Sequence, residues 1–144
     1  LRLGYLDTLK AFNVYEGNRF CFVKGEFNQK SIRGADSVGK IFELNPELIY
    51  KRYIFNIHLK KAIDAHLNEI ENEPQFDTDN PISRILEGLI KAKTSLNQKT
   101  ITIAIARKLK ETGDIKKSLL KIPAMKLLEE EIHAANYLIK DGFI

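Results

Sequence analysis

The chain has 144 residues and a net charge of +4, with 44% apolar and 29% charged residues; this is enough for one ordinary domain with a buried core and excludes a disordered or collagen-like chain. No apolar run approaches the ~20 residues that cross a membrane, and the start Leu1-Arg2-Leu3-Gly4-Tyr5 lacks the apolar stretch and cleavage site of a signal peptide. The single cysteine, Cys21, excludes an internal disulfide and a Cys-based metal site.

These features lead us to expect a cytoplasmic protein in a reducing compartment. The Leu1 start and the abrupt Gly142-Phe143-Ile144 end read as a piece of a longer protein. Taken in chain order, Leu1–Leu9 reads as the tail of a helix. Residues 10–26 hold two β-prone runs around Gly17-Asn18, which predicts a hairpin with its turn at Glu16–Arg19. A helix followed by a hairpin is similar in outline to the wing of a winged-helix domain; the plainer reading is a hairpin packed on helices. Residues 27–44, with Gly34 and Gly39, read as a flexible connector.

From Asn45 onward the signals are helical. Asn45-Pro46-Glu47 supplies a cap, a Pro at the first position and an acid in the first turn. The helix it opens is expected to run to about Glu73, with Leu48, Phe55, Leu59, Ala62, Ile63 and Ile70 at helical spacing. Tyr50, Tyr53, Ile54 and Ile57 widen its apolar surface, which predicts a central helix packed on several sides. After an acidic, turn-rich stretch, Asn80-Pro81 opens a further helix and Ser95–Lys99 breaks it. Thr100–Thr112 alternates like a strand at first, but Ile101, Ile105 and Leu109 favour a helix. Gly113 ends it and Asp114 caps a short successor. The last helix spans about Pro123–Lys140, stops at Gly142, and folds Phe143 back on Leu138 in a Schellman ending. The expected fold is mainly α: an irregular bundle of four to five helices over 45–141 with a short N-terminal β-hairpin, in a single domain.

Gly34-Ala35-Asp36-Ser37-Val38-Gly39-Lys40 fits the opening of the phosphate-binding P-loop pattern. Chemistry there needs glycine amides and a helix N-terminus around the phosphates, a Lys on them, and a Ser or Thr on magnesium. Ile41 stands where that hydroxyl belongs, and neither a buried strand before the run nor an acid-ended strand after it is evident. The run therefore reads as a glycine-bearing connector, in which Arg33 and Lys40 are placed to meet a nucleic-acid phosphate. Arg52-Tyr53-Ile54-Phe55-Asn56-Ile57-His58 resembles the Arg…His signature of HEPN ribonucleases, helical domains in which those two side chains meet at a dimer cleft and act on RNA. The resemblance covers two residues, and Tyr53 stands where that family usually carries a polar side chain. His66, Glu69 and Glu73 share a helix face but lack a fourth ligand, and His133 sits among Glu129–Glu131. Neither group predicts a metal site, and no cofactor is expected.

Charge is the more informative signal. Residues 1–61 carry +5, 62–87 carry −6, 88–126 carry +8 and 127–144 carry −3. The +8 block holds Lys91, Lys93, Lys99, Arg107, Lys108, Lys110, Lys116, Lys117, Lys121 and Lys126 against Glu111 and Asp114 alone. A basic surface across short helices is the footprint of a phosphate-backbone binder, and its preference for Lys over Arg argues against base readout. The sequence thus predicts a non-enzymatic accessory or assembly domain of a larger nucleic-acid-handling protein, binding through Lys91–Lys121 without sequence preference. The alternative is a helical protein–protein interaction module, including one that self-associates. Nucleotide binding at Gly34–Lys40 and a HEPN-type ribonuclease are the remaining readings, and no membrane partner is expected.

Overall fold

The computed structural model describes residues 2–70, 84, 88, 90, 91, 97–112 and 123–144. Among these, the elements are mainly α-helical, with three short strands near the N-terminus. The chain divides into two units, Leu1–Glu69 and Ile70–Ile144.

In the first unit, helix α1 (Arg2–Ala11) runs through residues that the sequence suggested as the start of a strand. It ends because Asn13 adopts φ +62, letting the amides of Asn13 and Val14 donate to the carbonyls of Lys10 and Leu9 at 2.9 and 3.0 Å. The expected hairpin follows. Strand β1 (Tyr15–Glu16) pairs antiparallel with β2 (Cys21–Val23), Tyr15 facing Val23 and Glu16 facing Phe22. Gly17 has φ +109, and a Cβ there would collide with the Phe20 carbonyl oxygen, so this turn position requires glycine.

The connector expected over 27–44 is instead helix α2 (Gln29–Ile41). Asn28, in an extended conformation, caps it by accepting from the Ser31 amide at 2.8 Å. Two glycines cost such a helix roughly 1 kcal/mol each relative to alanine. Packing offsets that cost: Ala35, Val38, Gly39, Ile41 and Phe42 are buried along one side. The end of α2 repeats the α1 cap, with Glu43 at φ +58 and Leu44 donating to the Gly39 carbonyl at 2.9 Å.

Asn45-Pro46-Glu47 does not open a helix. The Asn45 side chain accepts from the Glu47 amide at 2.9 Å and turns the chain instead. Ile49–Tyr50 then forms β3, parallel to β2, with Cys21 facing Ile49 and Phe22 facing Tyr50. A parallel pair needs a crossover, and α2 lies within it. Helix α3 (Arg52–Glu69) follows and buries Phe55, Leu59, Ile63 and His66 at helical spacing. It is not the expected all-round central helix: Tyr53 and Ile57 remain 62% and 48% exposed.

Aromatic side chains from the hairpin, the loop before α2, β3 and α3 make this unit's core. Phe22 lies 4.7 Å from Phe27 and 5.3 Å from Phe55, and Tyr50 lies 5.3 Å from Phe55, measured between ring centroids. Tilted and edge-on pairs of this kind contribute about 0.5–1.5 kcal/mol each beyond area burial.

In the second unit, Arg84, Gly88, Ile90 and Lys91 are helical, within the segment that Asn80-Pro81 was expected to open; the intervening residues lie outside the described ones. Helix α4 (Gln98–Thr112) starts at Asn97, whose side chain accepts from the Lys99 amide at 2.8 Å. The helix is buried continuously from Thr100 to Ala106 and again at Lys108 and Leu109. A 3-10 turn (Pro123–Leu128) leads into α5 (Glu129–Lys140), which packs against α4. Buried Glu131 of α5 accepts from the Gln98 side chain at 3.2 Å. Glu129–Glu131 place negative charge on the first turn of α5, where the helix dipole favours it. The Schellman ending read from the sequence is present: Gly142 has φ +78, and Phe143 donates to the Leu138 carbonyl at 2.9 Å.

Candidate functional site

The run Gly34–Lys40 lies wholly inside α2. A P-loop presents free backbone amides at the mouth of a helix, whereas amides within a helix donate to carbonyls one turn back. Gly39 has a different task here. A Cβ at this position would lie 2.8, 3.0 and 3.2 Å from three carbons of the Phe20 ring, so glycine lets α2 approach the hairpin. The run supplies close packing and no phosphate cradle.

Asp36, in the same run, clamps the hairpin turn. Its carboxylate accepts from the Asn18 amide at 2.6 Å and the Phe20 amide at 2.9 Å. Lys10 joins the clamp by donating to the Asn18 carbonyl at 2.7 Å. Burial pushes the Asp36 carboxyl above its ordinary value, against the opposing pull of the Phe20 and Asn18 amides and the Lys10 charge. Burial likewise raises the Cys21 thiol and the Tyr50 phenol, whose hydroxyl donates to the Asn45 carbonyl at 2.7 Å. A buried, protonated thiol is a core group and a poor nucleophile.

Arg52 and His58 both sit exposed on α3. Their six-residue offset sets them about 120° apart around the axis and about 9 Å apart along it, so one chain does not bring them together. His58 packs edge-on against Tyr50 at 5.9 Å. His66 is buried against Phe42. His133 lies 3.6 Å from Glu129 one turn earlier. No group of three His, Cys, Asp or Glu among the described residues is placed to hold a metal ion; Glu73 of the candidate trio lies outside them.

The basic block is only partly brought together. Lys91, Arg107, Lys110 and Lys126 are exposed, and Lys99 is half-buried. Lys93, Lys116, Lys117 and Lys121 lie outside the described residues. Lys108 departs from the expected set: it is only 7% exposed and lies 3.5 Å from Glu111. Its position explains this, because nine residues of helix set it about 180° from Lys99. Lys99, Arg107 and Lys110 share an arc of about 80°. Ile103 falls inside that arc and is buried, so α4 carries cations at its two ends and not a continuous stripe.

No family model, curated protein or solved structure matches this chain. Its chemistry therefore rests on its own residues.

The outward side of α2 was largely missed by sequence reasoning. Lys30, Arg33 and Lys40 are exposed there and Ser37 is half-buried. Two signals pointed to a helix over this stretch. Asn28 is a strong cap residue, and the apolar Ile32, Ala35, Val38 and Ile41 recur every three residues, i to i+3 along a helix.

Proposed function

We propose that this chain is a non-enzymatic helical accessory or assembly domain of a larger nucleic-acid-handling protein, binding phosphate backbones through basic side chains. The observation that carries the reading is the charge segregation. Residues 88–126 hold ten basic side chains against two acidic ones, and Lys91, Arg107, Lys110 and Lys126 among them are exposed. Such a surface attracts a polyanion and releases its counterions on contact, without reading bases. Lys108 is left out of the contact set because it is buried.

Titration with mixed-sequence oligonucleotides across a salt series tests the reading. Binding at low salt that weakens linearly in log–log form is expected. Absence of binding at low salt ends it.

A second reading, a protein-interaction module, is favoured by large apolar side chains exposed on the first unit: Tyr5 at 55%, Phe12 at 76% and Tyr53 at 62%. Light scattering separates the two: a stable homo-oligomer indifferent to nucleic acid supports the second.

A further inference from the structure

We propose that the outward face of α2 is a continuous contact for a nucleic-acid phosphate backbone, made by residues other than those of the 88–126 basic block. The inference rests on the reading of the chain as a backbone binder and assigns that activity a further surface.

Lys30, Arg33, Ser37 and Lys40 recur at i, i+3, i+7 and i+10. They fall within an arc of about 80° and along about 15 Å of the axis. The three basic residues are exposed and Ser37 is half-buried. No buried residue of α2 falls inside this arc, in contrast to α4, where Ile103 interrupts. The opposite side of α2, with Ala35, Val38 and Gly39, is held against the core, so the basic face is fixed outward.

The only acid in α2 is Asp36, and its carboxylate is engaged by the Asn18 and Phe20 amides. The face carries three exposed cations. Its 15 Å length matches about four steps of one strand at ~3.4 Å per phosphate. Arg33 brings a planar fork suited to a phosphate, Lys30 and Lys40 bring point charges, and Ser37 brings a hydroxyl donor. Arg33 is the one guanidinium among its cations, so the contact is expected to be largely independent of sequence.

The test compares three charge-matched variants of the full chain, each losing three cations. The first carries Lys30→Gln, Arg33→Gln and Lys40→Gln. The second carries Lys91→Gln, Arg107→Gln and Lys110→Gln. The third, a control, carries Lys24→Gln, Lys51→Gln and Lys61→Gln, all exposed and outside α2. Circular dichroism and thermal melting check that each remains folded. Binding of a fluorescent duplex and a single strand is then followed across a salt series.

The α2 variant is expected to lower the slope of log K against log salt by about 2–3 and to weaken low-salt binding at least ~10-fold, with the control near wild type. An α2 variant indistinguishable from wild type, or from an equally weakened control, overturns the inference. If the second-unit variant alone loses binding, the inference fails while the backbone-binding reading stands. If wild type itself does not bind at low salt, both fail.

Discussion

Replacing Gly39 by alanine sets two opposing effects against each other. A mid-helix glycine-to-alanine change gains about 1 kcal/mol of helix propensity. Here the new methyl group would meet the Phe20 ring at 2.8, 3.0 and 3.2 Å. Phe20 cannot simply move away. It is fully buried, and its ring centroid lies 6.2–6.3 Å from those of Phe22, Tyr50 and Phe55. Overpacking of this kind costs about 1–3 kcal/mol, so Gly39→Ala is expected to destabilise the first unit by about 1 kcal/mol net. Gly4→Ala is the matched control. Gly4 lies in α1 with nothing within 4 Å of a modest Cβ, so that change keeps the propensity term alone and stabilises by up to about 1 kcal/mol. Urea unfolding followed by circular dichroism reads the difference of about 2 kcal/mol between the two variants. Equal stabilisation by both would refute the claim that Gly39 exists for close approach of α2 to the hairpin.

Asp36→Ala removes the acceptor of a part-buried amide and of an exposed one, and is expected to cost about 2 kcal/mol, with Asp36→Asn intermediate; loss below about 0.5 kcal/mol on denaturant unfolding would contradict the clamp. Because burial raises the Asp36 carboxyl above its ordinary value of 3.8, the folded state binds the extra proton first. This group's contribution to stability is therefore largest below pH 3.8, falls as pH rises through its folded pKa, and is flat above it; carbon-detected NMR titration showing a midpoint at or below 3.8 would reverse the sign. Cys21 is 1% exposed with its thiol pushed toward the protonated form, so an aromatic disulfide reagent is expected to label it only on opening of the β2–β3 pair. Immediate native labelling would contradict its burial.

The sequence was legible where its signals are local. Gly142 followed by Phe143 announced the Schellman ending because only the backbone of a few residues is involved. Gly17-Asn18 announced the hairpin for the same reason. Legibility failed where a distant partner decides. Ile49–Tyr50 became a strand because β2, some 28 residues earlier, offers it an edge, and that overrode the Asn45-Pro46 helix start. The glycines of α2 looked like a loop because their compensation comes from Phe20 on another element. Lys108 looked like surface until the register of α4 set it opposite Lys99. Asp36 carried no sequence signal for its task, since its partners Asn18 and Phe20 are reached only through the fold. Sequence charge marked the second unit's basic block, whereas the continuity of the α2 face depends on which residues of that helix are buried.

The central claim, that this chain holds phosphate backbones without reading bases, is tested most directly by the salt dependence of binding to two unrelated oligonucleotide sequences. The account predicts low-salt binding, the same affinity for both sequences, and a log–log slope steeper than about −2. No binding at low salt, or an affinity indifferent to salt, would contradict it.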